Sequence, residues 1–182
     1  TYQVRSASKA MRTVDVPAVP PAVALDGPWS LRFPAGRGAP AEVKLERLIS
    51  WTEHTDPGVR YFSGSAEYAQ EFELPPELCA PDRVPVLDLG DVQVIAEVTL
   101  NGQALGTWWK PPFRADVTGI ARPGKNTLRV RVTNLWVNRL IGDEQFPDDC
   151  TWNGITLAEW PAWLLEKKPR PVKERLTFTT WK

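Results

Sequence analysis

The sequence predicts an all-β fold, a β-sandwich or jelly roll of about eight to ten mostly antiparallel strands. Three observations lead to this prediction. Apolar and polar side chains alternate through most of the chain, which is the period of a half-buried strand. Eighteen prolines and twelve glycines interrupt the 182 residues at short intervals, so long helices have little room. The pair Asn101-Gly102, the strongest short-range signal for a hairpin, follows an alternating run.

Residues 1–24 are predicted to be an extended lead-in to the sandwich. The stretch at 16–23, Val-Pro-Ala-Val-Pro-Pro-Ala-Val, has the proline density of a stiff, polyproline-like connector. We expect residues 1–15 to be either the last strand of an upstream domain or a strand that docks back onto this one. The sandwich itself is predicted over residues 25–182, a length that buries about two-thirds of its surface.

The strands follow one another with turn residues between them. Tyr68 and Phe72 fall on one face of a long strand, and Glu67 and Glu71 fall on the other. Strands are predicted at residues 30–33, 66–74, 86–89, 95–100, 104–109, 113–117, 127–136 and 175–181. Residues 157–165 could form a short helix, but Pro161 interrupts it, and the sequence predicts no other helix.

Strand direction decides which loops share an end of the sandwich. If the four strands after residue 94 each reverse direction, the loops at 90–93, 108–112 and 136–150 lie together. The Asn101-Gly102 turn and the turn at 119–125 then lie at the opposite end. Because long loops carry recognition more often than tight turns do, we expect a functional site at the first of these ends.

The run at 133–144, Thr-Asn-Leu-Trp-Val-Asn-Arg-Leu-Ile-Gly-Asp-Glu, carries the strongest chemical signal. The indole of Trp136 can stack on the C–H face of a sugar ring, while amide, guanidinium and carboxylate groups pair with its hydroxyls. The alternative is a loop that folds on itself, with Arg139 paired to Asp143 or Glu144 to fix the exit from the sheet. The sequence leaves both interpretations open.

A second pair of indoles lies on the same predicted end. Trp108 and Trp109 are adjacent, so on a strand they point to opposite faces and only one can be part of the core. The candidate carbohydrate-binding residues are therefore Asp91, Trp108, Trp109, Lys110, Trp136, Asn138, Arg139, Asp143 and Glu144.

Composition argues against several classes of partner and of site. The chain has 22 basic and 22 acidic residues and no basic stripe, which argues against nucleic acid and against an anionic membrane. No apolar run approaches the roughly 20 residues of a membrane helix. Cys79 and Cys150 match no metal or redox spacing, and a single disulfide between them stays open. His54 has neither a second histidine nor a cysteine nearby, so we expect it to be a loop or packing residue.

Several short motifs occur in a fixed order along the chain. They are Gly-Pro-Trp-Ser-Leu-Arg-Phe at 27–33, Tyr-Phe-Ser-Gly at 61–64, Leu-Asp-Leu-Gly at 87–90, Asn-Gly at 101–102, Gly-Lys-Asn-Thr-Leu at 124–128 and Asn-Arg-Leu-Ile-Gly-Asp-Glu at 138–144. This series resembles the galactose-binding-like β-sandwich of glycoside hydrolases. The hairpin and the Gly-x-Asn-x-Leu strand entry are similar to the sugar-binding domain of family 2 β-galactosidases and β-glucuronidases. The longer match, over about residues 25–181, resembles the C-terminal sandwich of family 106 α-L-rhamnosidase-like proteins.

The resemblance implies a non-catalytic accessory domain. In such enzymes the catalytic carboxylates lie in a separate (β/α)₈ barrel, so the expected partners are carbohydrate and an upstream catalytic domain of the same polypeptide. We expect a secreted or periplasmic location as part of a larger protein, although residues 1–5 do not resemble a signal peptide. No cofactor is required. Sandwiches of this type often hold a structural calcium, for which the candidate ligands are Asp143, Glu144, Asp148 and Asp149.

Three functions are weighed. The leading one is an accessory module that binds carbohydrate, of the plant cell-wall type, through exposed tryptophan and polar residues of the loops. The alternative is a purely structural domain that packs against the catalytic barrel of a parent α-L-rhamnosidase-like enzyme. The least favoured is glycosidase activity in this chain, because acids crowded on one loop cannot easily stand on two sides of a sugar.

Overall fold

The computed structural model describes residues 2–5, 11–14 and 19–180 and shows an antiparallel β-sandwich. Twelve strands are present in this part of the chain. They are β1 Tyr2–Arg5, β2 Met11–Val14, β3 Trp29–Arg32, β4 Glu42–Leu45, β5 Ser65–Leu74, β6 Val86–Asp88, β7 Ile95–Leu100, β8 Gln103–Trp108, β9 Arg114–Asp116, β10 Gly124–Thr133, β11 Thr151–Asn153 and β12 Thr156–Glu159.

One large sheet dominates the sandwich. Its six strands lie in the order β4-β3-β5-β10-β7-β8, and every neighbouring pair is antiparallel. The pair β6-β9 forms a second, small sheet, while β1-β2 and β11-β12 are separate two-stranded sheets. Short helices connect them: 3₁₀ turns at Trp51–Glu53 and Pro76–Cys79, and α-helices α1 Pro57–Arg60, α2 Val137–Asp143 and α3 Ala162–Leu165.

The core consists of the alternate positions of the central strands and an aromatic cluster. Leu128 and Val130 of β10 are 1% and 6% exposed, while Arg129 between them faces solvent. Phe33 and Phe62 meet edge to face with their ring centroids 4.7 Å apart. Burying side chains of this size stabilises a fold by about 1.5–3 kcal/mol each, so the alternation read from the sequence is also the main source of stability.

The Asn101-Gly102 turn and the residues around Asn126 close one end of the large sheet. Both turn residues have positive φ angles, 51° and 82°, which explains the Asn-Gly pair. The Asn101 side chain donates to the carbonyl of Ile120 at 2.8 Å and accepts from the backbone N–H of Thr127 at 2.9 Å. Asn126 is 1% exposed and donates to the carbonyl of Arg122 at 2.7 Å. The side chains of Asn101 and Asn126 at this end are therefore engaged in internal hydrogen bonds.

Several predicted elements need correction. The described part of 175–181 contains no strand, because Arg175 and Thr177 bond to Asp143 at the end of α2 instead of to a sheet edge. β10 ends at Thr133 rather than at residue 136, and α2 begins at Val137 inside the predicted loop. The predicted helix at 157–165 divides at Pro161 into β12 and α3.

The lead-in also differs from the prediction where it is described. A hairpin of β1 and β2 replaces the single expected strand. Residues 19–23 of the proline-rich connector have no regular secondary structure, and its residues 16–18 lie outside the described part of the chain.

Candidate functional site

The strand register brings the predicted loops to one end of the sheet. Trp108 of β8 pairs with Ala96 of β7, and Ala96 also pairs with Val132 of β10. The backbone N–H of Val94 donates to the carbonyl of Thr133 at 3.0 Å. The loop before β7, the end of β8 and the end of β10 are therefore neighbours, as predicted. We call the end formed by residues 90–94 and 108–112, together with Trp136 and Asn138, the rim.

Two indoles of the rim are well exposed, Trp109 at 64% and Trp136 at 69%. They follow β8 and β10, which flank β7, and adjacent strands lie about 4.8 Å apart. The loop that leads into β7 lies between them and carries Asp91 and Gln93, both exposed, with a hydrogen bond of 3.3 Å between their side chains. By strand order, the segments that carry the two indoles therefore lie on either side of the segment that carries this carboxylate and this amide.

The two neighbouring tryptophans divide as the alternation predicts. Trp108 is partly buried and packs against the core, whereas Trp109 faces outward. The ammonium group of Lys110 lies 5.2 Å from the centroid of the Trp109 ring, a cation–π contact that covers one side of that indole. Trp136 has no such cover among the described contacts.

Helix α2 is held firmly behind Trp136. The backbone N–H of Arg139 donates to the hydroxyl of Ser63 at 2.9 Å, and the Asn134 side chain bridges Gly64 N–H and the Phe62 carbonyl, both at 2.9 Å. A Cβ on Gly142 would lie 2.5 Å from the Cβ of Tyr61, so only glycine permits this approach. Asn138, the remaining polar candidate on α2, is partly buried and lines an apolar cleft along the large sheet.

Arg139 and Asp143 brace the helix from within. Asp143 is 0% exposed, and its Oδ1 lies 2.7 Å from Nη2 of Arg139, an ion-pair contact off the hydrogen-bond axis. Its Oδ2 accepts hydrogen bonds from the backbone N–H groups of Leu176 and Thr177 at 3.0 and 2.6 Å. The alternative interpretation of this loop therefore applies to these two residues, which stabilise α2 and do not lie on the exposed rim.

Glu144 belongs to a second internal pair. Its Oε1 accepts from Nη2 of Arg175 at 3.0 Å, and the Arg175 side chain is completely buried. The guanidinium also donates to the carbonyls of Asp143 and Phe146, at 2.6 and 3.2 Å. The prediction that Glu144 contacts a sugar is therefore replaced by a structural role: this clasp fastens residues 175–180 onto the loop after α2. Sequence reasoning missed Arg175 because its partners are more than 25 residues away.

Asp149 completes the clasp. Its Oδ1 accepts from the backbone N–H of Thr179 at 2.9 Å and lies 3.5 Å from Nε of Arg175. Partial burial acts to raise the pKa of Asp149, but the hydrogen bonds from Thr179 and the charges of Arg175 and Arg170 outweigh it and hold the pKa below its usual value. The carboxylate is therefore stabilised in its charged form.

The calcium candidates do not fit a metal site. Among the residues that the structure describes, no group of three or more His, Cys, Asp or Glu side chains could hold a metal ion. Asp143, Glu144 and Asp149 direct oxygens at arginines instead, and these cations would repel Ca²⁺.

The two cysteines and His54 are the remaining candidates for reactive groups. Cys79 and Cys150 are free thiols. Burial, together with the neighbouring charge of Asp149, raises the pKa of Cys150, so the nucleophilic thiolate is disfavoured. His54 Nδ1 accepts from the backbone N–H of Asp56 at 3.0 Å, which makes it the loop residue that was expected. Within residues 2–5, 11–14 and 19–180, no helix has the length and apolarity needed to cross a membrane.

Sequence reasoning also missed an apolar surface beside the rim. Leu135, Val137 and Ile141 are 59%, 47% and 52% exposed and flank Trp136. Leu135 and Val137 line the mouth of an apolar cleft of about 1120 Å³, which runs along the inner face of the large sheet as far as Ala121. The available signal was the apolar run at 135–137 followed by Ile141, four positions after Val137, because this spacing is typical of one face of a helix.

Comparison with known proteins agrees with this architecture. Residues 51–163 match the family described as "Glycosyl hydrolase 2 galactose-binding domain-like". The chain belongs to this family. It is 42% identical over all 182 residues to a "Putative beta-glucuronidase" of Formosa agariphila, of which it covers 16%.

Solved structures show the same relationship. A rhamnosidase from Novosphingobium sp. PP1Y is 43% identical and superposes with a TM-score of 0.66, over 77% of this chain and 13% of that one. A β-glucuronidase from Ruminococcus gnavus is 27% identical with a TM-score of 0.50, over 60% of this chain and 20% of that one. The chain thus corresponds to a small part of each of these much larger proteins.

Proposed function

We propose that this chain is a non-catalytic module of a glycoside hydrolase that binds carbohydrate through its rim. One observation carries the proposal: two indoles, each about two-thirds exposed, follow the strands on either side of β7, and the loop that leads into β7 carries the exposed Asp91 and Gln93. Stacking on an indole combined with hydrogen bonds to carboxylate and amide oxygens is the combination that a pyranose requires. Membership of a galactose-binding-like family supports the same ligand class.

The proposed contacts follow from exposure. Trp136 is the main stacking platform because its ring is the more open of the two, and Trp109 is the second. Asp91 accepts hydrogen bonds from sugar hydroxyls, and the amide of Gln93 both accepts and donates them. Asn138 lies at the inner border of this site. Arg139, Asp143 and Glu144 contribute by holding α2, and therefore Trp136, in place.

The test is a calorimetric titration of the 182-residue chain with neutral and acidic cell-wall oligosaccharides that contain rhamnose or galactose. Losing one stacked indole removes about 1–2 kcal/mol, so Trp136→Ala should weaken binding roughly five- to thirtyfold. Trp160→Ala is the matched control, because Trp160 is also exposed, at 52%, but packs on Phe178 away from the rim. Binding that is absent from the unmodified chain, or equally lost in both variants, would contradict the proposal.

A second function, docking onto the catalytic part of the parent polypeptide, is favoured by a separate observation. Leu135, just before α2, and Val137 and Ile141 on α2 form an exposed apolar ridge, and contiguous apolar surface of this kind marks interfaces. In the relatives, this region is a small share of a much longer polypeptide. The rest of such a polypeptide would offer the surface onto which the ridge docks.

The two functions are separated by the position of the substitution. In the full-length parent, Ile141→Ser should lower the melting temperature if the ridge is covered, while leaving glycan binding by the isolated chain unchanged. If the rim is open to carbohydrate, Trp136→Ala should weaken glycan binding by the isolated chain and leave the melting temperature of the full-length parent unchanged. If Ile141→Ser leaves the melting temperature of the full-length enzyme unchanged, docking through the ridge is ruled out.

A further inference from the structure

The small sheet leaves one edge of β6 without a partner strand among the described residues. β6 pairs with β9 alone, whereas the large sheet has six strands. The backbone N–H of Leu89 donates to the carbonyl of Phe113 at 2.9 Å, which fixes the phase of the ladder between β6 and β9. Because hydrogen-bonded and non-bonded pairs alternate in an antiparallel ladder, the backbone N–H and C=O groups of Val86 and Asp88 point away from β9.

This free edge of β6 is not blocked by proline. A proline can block a strand edge because it has no N–H to donate. Pro85 precedes β6, but its carbonyl accepts from the backbone N–H of Val117 at 3.0 Å, so the backbone of Pro85 faces the β9 side. Val84 and Val86, in and just before β6, are 67% and 53% exposed. Exposed β-branched residues on an unblocked edge strand favour pairing with a further strand.

The apolar cleft of about 1120 Å³ runs along the free edge of β6. Val86, Leu87 and Asp88 all line it, whereas among the described residues none of Arg114–Asp116 in β9 does. Successive side chains of a strand point to opposite faces, so consecutive residues line a space only where the edge of the strand borders that space. The cleft therefore lies on the side of β6 to which the N–H and C=O groups of Val86 and Asp88 point.

The floor of the cleft is apolar and incompletely covered. Tyr68 and Phe72 of β5 and Val132 of β10 line it, and these two strands are the centre of the large sheet. All three side chains are partly exposed, although Leu128 on the same face of β10 is only 1% exposed. In a sandwich, the inner face of a central strand is normally covered by side chains of the opposite sheet. The two short strands of the small sheet leave this part of the floor open.

We propose that β6 accepts a further β-strand, supplied by the part of the parent polypeptide outside these 182 residues. The backbone groups at the free edge call for an extended backbone, and the apolar floor calls for apolar side chains at alternate positions. The added strand extends the small sheet from two strands to three and covers Tyr68, Phe72 and Val132. Addition of a strand to an exposed edge is a recurring mode of recognition, in which the main-chain hydrogen bonds give affinity and the side-chain contacts give specificity.

The source of the strand is argued from the relatives and from the lead-in. The chain covers 16% of the relative from Formosa agariphila and 13% of the Novosphingobium rhamnosidase, so most of each of those polypeptides lies outside the matching region. Residues 22–25 of the lead-in line the cleft but form no strand, so they do not occupy the edge. The proposal rests on the proposed function only for the existence of a longer parent polypeptide, and it does not depend on carbohydrate binding.

The experiment compares amide hydrogen exchange in the isolated chain and in the full-length parent, read by mass spectrometry with fragmentation that resolves single residues. We expect the amides of Val86 and Asp88 to exchange at least about tenfold more slowly in the parent, because a hydrogen-bonded amide must open before it exchanges. Arg114 and Asp116 are the matched control, since their N–H groups point away from β6 at the other edge of the same sheet. Their exchange rates should be the same in both proteins.

Three outcomes would overturn the proposal. The first is equal exchange of Val86 and Asp88 in the two proteins. The second is slow exchange of both amides in the isolated chain at every protein concentration, which would mean that the chain covers its own edge. The third is protection that increases with the concentration of the isolated chain, which would identify a second copy as the occupant.

A pair of proline variants gives an independent test. Val86→Pro removes a donor from the free edge without removing a hydrogen bond to β9, and Arg114→Pro does the same at the opposite edge. In the full-length parent, Val86→Pro should lower the melting temperature of this domain more than Arg114→Pro does, while in the isolated chain the two variants should differ little. An equal effect of the two variants in the parent would contradict the proposal. Failure of the rim is distinguishable because it is read on glycan binding by the isolated chain.

Discussion

Replacing Arg175 by methionine tests how the C-terminal segment is held on the sandwich. The Arg175 side chain is fully buried and reaches Glu144 at 3.0 Å, Asp149 at 3.5 Å and the carbonyl of Asp143 at 2.6 Å. Methionine is similar in length but supplies no charge and no donor. The variant would leave two carboxylates without their buried cation and backbone carbonyls without a donor.

The expected loss is large for one side chain. Removing one partner of a buried ion pair costs about 3–5 kcal/mol, because the remaining charge stays desolvated without compensation. In a domain of this size, that loss lowers the melting temperature by about 6–20 °C. The matched control is Arg131→Met, whose partner Glu97 is 3.4 Å away but whose side chain is 57% exposed; pairs of that kind contribute about 0.2–1 kcal/mol.

The assay is urea unfolding of the chain, followed by circular dichroism, with Arg175→Met, Arg131→Met and the double variant Arg175→Met/Glu144→Gln. The double variant should recover part of the loss, since it removes one of the stranded charges. If Arg175→Met costs no more than Arg131→Met, or if Glu144→Gln adds a further full loss, the clasp does not hold the segment as described.

Three further predictions concern other parts of the fold. The folded-state pKa of Asp149 lies below its usual value of 3.8, so the ionised carboxylate stabilises the folded state above that pH, and this contribution is lost as the pH falls through the folded-state value. Urea unfolding from pH 7 to about pH 3 should show this decline in the free energy of unfolding, and Asp149→Asn should make the decline shallower. Gly142→Ala should cost about 1–3 kcal/mol, since its Cβ would lie 2.5 Å from that of Tyr61; an unchanged melting curve would mean that α2 is not packed as closely as described. Tyr68→Phe should cost about 1–3 kcal/mol by leaving the buried Nε1–H of Trp51, now 2.6 Å from the Tyr68 hydroxyl, without its acceptor, and a cost close to zero in urea unfolding would show that water replaces it.

The parts of the fold that the sequence predicted well depend on local signals. The alternation of Leu128, Arg129 and Val130 places β10 in the centre of the sheet, and the Asn101-Gly102 pair specifies the hairpin between β7 and β8. Strand direction then follows, and with it the end of the sheet at which the loops meet. Each of these inferences needs only neighbouring residues and the geometry of antiparallel pairing.

The candidate site was predictable only in part. Exposure of Trp136 and of one member of the Trp108–Trp109 pair follows from alternation and from loop position. The environment of the charged residues does not, because Asp143 is buried and Glu144 partly buried by contacts with Arg175, Leu176 and residues after them, more than 25 positions away. The same long-range contacts explain why residues 175–180 form no strand. A sequence pattern contains no information on which distant arginine neutralises a given carboxylate.

The most direct test of the rim is a titration of the ¹⁵N-labelled chain with a rhamnose- or galactose-containing cell-wall oligosaccharide, read on the indole signals of Trp109 and Trp136. Both are about two-thirds exposed and follow the strands on either side of β7, so a sugar bound at the rim must alter their environment. We expect saturable shifts of these two signals, with those of buried Trp29 and Trp51 unmoved. Rim signals that stay fixed up to the solubility limit of every oligosaccharide would contradict carbohydrate binding at this site.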